Sequence, residues 1–136
     1  TIAVEITTAN TLLDRIDLQV EVPALPPGDL LDAPAGEASA TVRARCAQAR
    51  QRALDRQGHA NQQLAGRALD QHATLSAEAS RFLQATAQRL GWSARATHRA
   101  LKVARTIADL ADAPRVDVPH LAEAIQYRRG LGPAAA

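Results

Sequence analysis

Apolar positions along this chain alternate before Pro23 and recur at helical spacing after Gly36. In the segment IDLQVEV, Ile16, Leu18, Val20 and Val22 share one face, which is the period-two pattern of a half-buried strand. Thr1–Thr7 alternate more weakly and form a second candidate strand. Four prolines and two glycines between Pro23 and Gly36 predict a loop or linker, and with it a boundary between a β-containing piece and a helical one.

From Glu37 the stripe Val42, Cys46, Ala49 and Ala53 predicts a helix. Arg45, Arg52 and Arg56 line one flank of that stripe, and Arg43 and Arg50 the other. Gly58 is its stop signal, and Asn61 the N-cap of a short helix to about Asp70 that faces Leu64 and Ala68 inward. A third helix over Ser76–Leu90 buries Ala79, Phe82, Leu83, Ala87 and Leu90, and Gly91 ends it. Ser93 caps a fourth over Ala94–Ala111, with Ala100, Leu101, Ala104, Ile107, Ala108 and Ala111 inward. Arg95, Arg99 and Lys102 recur at i, i+4 and i+7 on another face. Arg105 and Asp109 make an i,i+4 pair worth a few tenths of a kcal/mol. Asp117 caps a last helix that admits Pro119 in its first turn and buries Leu121, Ala124 and Ile125. Gly130 onward reads as a frayed tail. The fold expected is mainly α: a compact bundle of four or five helices with a short β segment at the N-terminus. The divisions fall at residues 1–35, 36–130 and 131–136.

Composition sharpens this picture. Alanine dominates the apolar set, aromatics are 2% and methionine is absent, so the helices pack closely around a thin core. With 136 residues the chain suits one domain. Sixteen basic and 14 acidic residues leave a net charge of +2, too balanced to mark a nucleic-acid binder on its own. Lys102 is the sole lysine, so the cations are arginines, which suit bidentate phosphate or carboxylate recognition. The single cysteine, Cys46, excludes an intrachain disulfide and a Cys-based zinc site, and its place in the helical stripe predicts a small core residue. No run is long enough to span a membrane and no signal peptide opens the chain, so the expected compartment is the cytoplasm.

Self-sufficient catalysis is not expected. The chain has no Gly-x4-Gly-Lys-Ser/Thr loop to cradle a triphosphate, no GxGxxG and no GxSxG. His59, His72, His98 and His120 fall on separate segments and read as surface or capping residues. Asp14 and Asp17 read as neutralising Arg15 or capping local backbone. By pattern alone Arg15 is a surface arginine in local salt bridges, and Arg95 belongs to a solvated helix face with Arg99 and Lys102. The arginine rim of the first helix packs or solvates, with DNA contact as the lesser reading. Trp92, lacking aromatic neighbours, reads as a core or interface residue rather than a base-stacking platform.

Five blocks carry a resemblance. LLDRIDLQVEVP, GEASATVRARCAQAR, Asn61, SARATHRALKVARTIADL and HLAEAIQYR occur in the order found in the C-terminal region of the magnesium-chelatase-like AAA+ ATPases. They resemble most the competence-associated (ComM) type, and together they span most of Leu12–Arg129. The Ser-Gly-Pro run usual before the first block is replaced by Ala9-Asn10-Thr11. The resemblance implies that residues 1–35 are a remnant of an AAA+ core and that 36–130 are its helical lid. The parent would be an ATP-driven homo-hexameric ring acting on DNA, by branch migration during natural transformation. It would use ATP and Mg2+, none of it bound by this chain alone, and its partners would be its own AAA+ core and neighbouring subunits, with no membrane. Arg15 matches the arginine finger, delivered in trans, and Arg95 the sensor-2 arginine at the ATP γ-phosphate. Two competing readings are a magnesium-chelatase motor subunit and a stand-alone helical interaction or DNA-binding module.

Overall fold

Six α-helices and one 3₁₀ turn carry residues 15–128, which are the residues that the computed structural model describes. They are α1 (Pro27–Asp32), α2 (Ser39–Gln57), the 3₁₀ turn (Asn61–Gln63), α3 (Gly66–His72), α4 (Ala77–Leu90), α5 (Ala94–Leu110) and α6 (Val118–Gln126). The protein is mainly α, with no sheet among the described residues. None of the described helices is long and apolar enough to cross a membrane. The candidate strand Thr1–Thr7, Asp14 and the tail from Gly130 lie outside the described residues.

Helix α5 is the axis of the bundle, in contact with α2, α6 and the 3₁₀ turn, while α4 packs on α6. Its start is fixed by sequence. Gly91 adopts φ +63, a left-handed conformation that costs a glycine least. Trp92 N–H then bonds back to Ala87 C=O at 2.9 Å, closing α4. Two residues on, Ser93 Oγ accepts the Ala96 N–H at 3.2 Å and opens α5. The buried face of α5 is small: Ala96, Ala100, Ala104 and Ala108 with Leu101. Alanine there lets α6 (Leu121, Ala124, Ile125) and α2 (Ala49, Ala53) approach closely. Leu64, Leu69, Leu83 and Val116 supply the bulk of the core between them. A single parallel bridge, Leu75 with Val116, joins the stretches of chain that lead into α4 and α6. At α6, Asp117 N–H donates to His120 Nδ1 at 3.0 Å, so His120 is a capping residue.

Several details differ from the sequence expectation, each for a physical reason. Ile16–Val22 is not a strand, because no sheet edge is present among the described residues for it to pair with; its apolar side chains run from 39% exposed at Ile16 to 84% at Val22. Within the expected Pro-rich loop, Pro27 sits in the first turn of the short helix α1, where its missing N–H costs nothing. Cys46 is exposed, not core, because it precedes Ala49 and Ala53, the residues of α2 that are buried in the bundle. Leu90 and Ala111 are also exposed, at helix ends that project beyond the core, and the buried place expected of Ala87 is taken by Thr86. Asn61 does not cap a helix; α3 starts five residues later, at Gly66.

Asn61 instead joins a buried polar cluster around Asp109. Arg56 grips the Asp109 carboxylate with both guanidinium nitrogens, at 2.7 and 3.1 Å. Arg105 donates to Oδ1 at 2.8 Å, and Asn61 Nδ2 to Oδ2 at 2.8 Å. Arg105 and Asp109 are each 1% exposed, so this pair is no surface pair worth a few tenths. Arg105 also donates to the Ala113 and Pro114 carbonyls, at 2.8 and 3.1 Å. Arg52 closes the C-terminus of α5 by donating to Asp109 C=O at 2.7 Å, and it pairs with Asp112 at 2.8 Å. One carboxylate thereby ties together α2, the 3₁₀ turn, α5 and the turn that follows it. Burial pushes the Asp109 carboxyl up, but the hydrogen bonds from Arg56 and Asn61 and the charges of Arg105 and Arg56 outweigh it, and the group sits below its ordinary 3.8.

Removing one partner of a buried charge pair costs about 3–5 kcal/mol because the other charge is left uncompensated. Asp109→Asn is expected to lose that much, measured by urea unfolding at neutral pH. The folded-state pKa is depressed, so the stabilisation is fully present above the unfolded value and is lost as pH falls through the lower folded value. The wild-type midpoint should therefore fall as pH drops below about 4, and that acid limb should flatten in Asp109→Asn.

Candidate functional site

The first turns of α5 carry Arg95, His98, Arg99 and Lys102 at i, i+3, i+4 and i+7, which puts them along one face of the helix. The opposite face is locked into the core by its alanines, so this row is aimed outward and held at a fixed angle. It forms one wall of an open cleft of about 610 Å3. The 3₁₀ turn and the start of α3 form a second wall, with Gln62, Leu64, Ala65, Gly66 and Leu69. Arg15 and Asp17, from the N-terminal segment, complete the lining.

Arg15 and Arg95, the two arginines picked out in the sequence, therefore line the same cleft, 80 residues apart in the chain, and both are exposed. Arg99 and Lys102 join them, against Asp17 as the one carboxylate of the lining. Lys102 Nζ donates to Gln62 C=O at 3.0 Å, bracing α5 against the 3₁₀ turn. The result is a cationic, solvent-open concavity, which suits oxygens of a polyanion better than a neutral or cationic ligand. Among the described residues no group of three His, Cys, Asp or Glu is placed to hold a metal ion.

The N-terminal segment reaches this cleft through contacts with the helical body. Asp17 Oδ1 accepts from Arg99 Nη1 at 2.6 Å, so Asp17 does not neutralise its neighbour Arg15. Gln19 N–H donates to Tyr127 C=O at 2.8 Å. Arg128, 6% exposed, donates to Ile16 C=O at 3.3 Å and lies over the Trp92 ring at 5.7 Å from its centroid. Trp92 is half-buried against the core, as a core or interface residue would be. The arginine rim of α2 divides. Arg52 and Arg56 are absorbed by the Asp109 and Asp112 carboxylates, and Arg45 pairs with Glu37 at 2.8 Å, while Arg43 and Arg50 are exposed.

Sequence reasoning grouped Arg95, Arg99 and Lys102 by helical period, and the structure keeps that grouping. It missed His98, Gln62 and the Asp17–Arg99 pair. The i+3 spacing of His98 was a usable signal. The other two depend on long-range folding, 82 residues apart in the case of Asp17 and Arg99, and no local pattern encodes them.

Comparison with known proteins places the helical body clearly. Residues 36–128 match the family described as magnesium chelatase, subunit ChlI C-terminal. That stretch includes Arg95 and stops short of Arg15. The uncharacterized protein YifB of Salmonella typhimurium is 45% identical over 121 residues, covering 88% of this chain and 24% of its own length. Competence protein ComM of Haemophilus influenzae is 43% identical and YifB of Escherichia coli 44% identical, with the same coverage. The chain thus spans about a quarter of the length of these relatives, 24%.

The face that carries the cations depends on a well-formed first turn of α5. Ser93→Ala removes the cap on the Ala96 N–H and is expected to cost about 1 kcal/mol. Thermal unfolding checks the loss, and amide exchange should show it as fraying at Arg95–Thr97 before the rest of α5.

Proposed function

The chain belongs to the magnesium chelatase subunit ChlI C-terminal family, and from that premise we propose that it is the lid and arginine-finger region of an ATP-driven, ring-forming AAA+ motor. Arg15 is the finger, delivered to the nucleotide of a neighbouring subunit, and Arg95 is the sensor-2 residue. The observation that carries this reading is that one cationic cleft is lined by both arginines. Two guanidiniums on one concavity can address one phosphate group, an arrangement that suits stabilising the charge of a terminal phosphoryl in transfer.

The chemistry follows from charge. As the γ-phosphoryl is transferred, negative charge spreads over its oxygens. A guanidinium stays protonated at any working pH and offers paired N–H donors matched to those oxygens. Held in place beforehand, it stabilises the transition state without reorienting at the moment of reaction. Arg95 lies in the first turn of α5, where the helix dipole also favours an anion. Because the helical body carries Arg95 on a rigid face, presence or loss of the γ-phosphate would be felt by the body as a whole. The Mg2+ that accompanies ATP is assigned to the rest of the motor, together with the loop that cradles the triphosphate. This chain's part is to bind and orient phosphate oxygens.

The reading takes DNA as the substrate of the motor, branch migration in natural transformation as its task and a homo-hexamer as its form; similarity to a protein named for competence supports the link to transformation. The description of the family favours a second reading, a magnesium-chelatase motor subunit. Stimulation of turnover by branched DNA distinguishes the first from the second.

The test is ATP turnover by the full-length motor with branched DNA present and ATP binding measured alongside. Arg15→Ala is expected to lower turnover by about 1,000-fold or more, the usual worth of an arginine finger, with binding retained. Unchanged turnover would make Arg15 a surface residue and end the finger assignment.

A further inference from the structure

Arg15 would have no fixed place in the cleft if its segment were free, for Ile16–Val22 belongs to no sheet among the described residues and its side chains are largely exposed. Two residues beyond Arg15, Asp17 meets Arg99 at 2.6 Å; four residues before Arg99 on the same helical face stands Arg95. This ion pair therefore links the segment of Arg15 to the helix face that carries Arg95. Arg99 is the anchored side of it, being 20% exposed against 54% for Asp17. Two backbone contacts bracket the same segment, Arg128 to Ile16 C=O at 3.3 Å and Gln19 N–H to Tyr127 C=O at 2.8 Å. Neither of those depends on the identity of a side chain near Arg15. Among the described residues of the segment, Asp17 is the side chain that forms an ion pair with the helical body.

We propose that the Asp17–Arg99 ion pair is a positioning device: it fastens the Arg15 segment to α5 so that Arg15 and Arg95 address the same phosphate. This rests on the phosphate-facing reading of the cleft. It assigns a favourable role in anion binding to a carboxylate that stands among cations, against what net charge alone implies. Simple electrostatics says that neutralising Asp17 makes the cleft more positive and tightens anion binding. Positioning says the opposite, because Arg15 is released and the binding geometry is lost.

The two are separated by the sign of one change. Inorganic tripolyphosphate is titrated into the 136-residue protein, with binding followed at the Arg15 and Arg95 side-chain NεH signals by NMR. Wild type is expected to bind saturably, weakened by Arg15→Ala and by Arg95→Ala. Asp17→Asn should weaken binding about three- to tenfold, as expected when one charge-assisted hydrogen bond near a surface no longer forms, and should speed amide exchange at Gln19. Asp17→Glu, which keeps the pair, should restore both. Wild-type binding that depends on Arg15 but is unchanged or tighter in Asp17→Asn overturns the positioning role and leaves the phosphate reading standing. Absence of saturable binding by wild type, with the fold intact, overturns the phosphate reading and this proposal with it.

Discussion

Asp109 is the constraint on which the rest of the molecule depends. A chain with so few large apolar residues buries little surface per helix, and the alanine faces of α5 would slide past α2 without a fixed point. The carboxylate of Asp109 supplies it, receiving Arg56 from α2, Arg105 from its own helix and Asn61 from the 3₁₀ turn. Hydrophobic contact is non-directional, whereas four charge-assisted hydrogen bonds on one carboxylate admit a single register. Net stability from such a cluster is modest, since desolvation offsets much of the Coulomb attraction. Its effect is to select one arrangement of three elements.

That arrangement has a consequence at the other end of α5. With one face of the helix held by the core and its C-terminal end held by Arg52, Arg56 and Arg105, the face carrying Arg95, His98, Arg99 and Lys102 has only one direction to point. The cleft is the space between that face and the 3₁₀ turn, and the turn is itself held by Asn61. Structural arginines and cleft cations thus do separate jobs. The first group is neutralised by carboxylates inside the body; the second is left with Asp17 as its one acidic neighbour in the lining. The site is cationic even though the chain is nearly balanced, with a net charge of +2.

The helices were largely legible in the sequence because their signals are local. Ser93 before an alanine run, Gly91 after Leu90 and the helical period of Ala100, Ala104 and Ala108 need no tertiary information. The family was legible too, in the spelling of VARTIADL and HLAEAIQYR. What local pattern could not reach was whatever depends on a distant partner. Asn61 looks like an N-cap because Asn commonly is one; it becomes a buried network residue only when Asp109, 48 positions away, folds against it. Arg105 and Asp109 look like a surface pair because i,i+4 pairs usually are. Cys46 looks buried because it continues a stripe, yet the stripe outruns the surface it packs on. Ile16–Val22 has the alternation of a strand, but alternation records a face and not a partner. Arg15 and Arg95 were named from family spelling alone, and only the folded chain brings them to one cleft.

The central claim is that Arg15 and Arg95 act on one phosphate rather than at two independent places. A double-mutant cycle on ATP turnover by the full-length motor tests it most directly, comparing Arg15→Ala, Arg95→Ala and the double variant. Residues that serve the same group lose their effect together, so the double variant should be about as slow as the slower single variant, with a coupling of about 1–3 kcal/mol. Effects that multiply, leaving no coupling beyond about 0.5 kcal/mol, would contradict the account and place the two arginines at separate tasks.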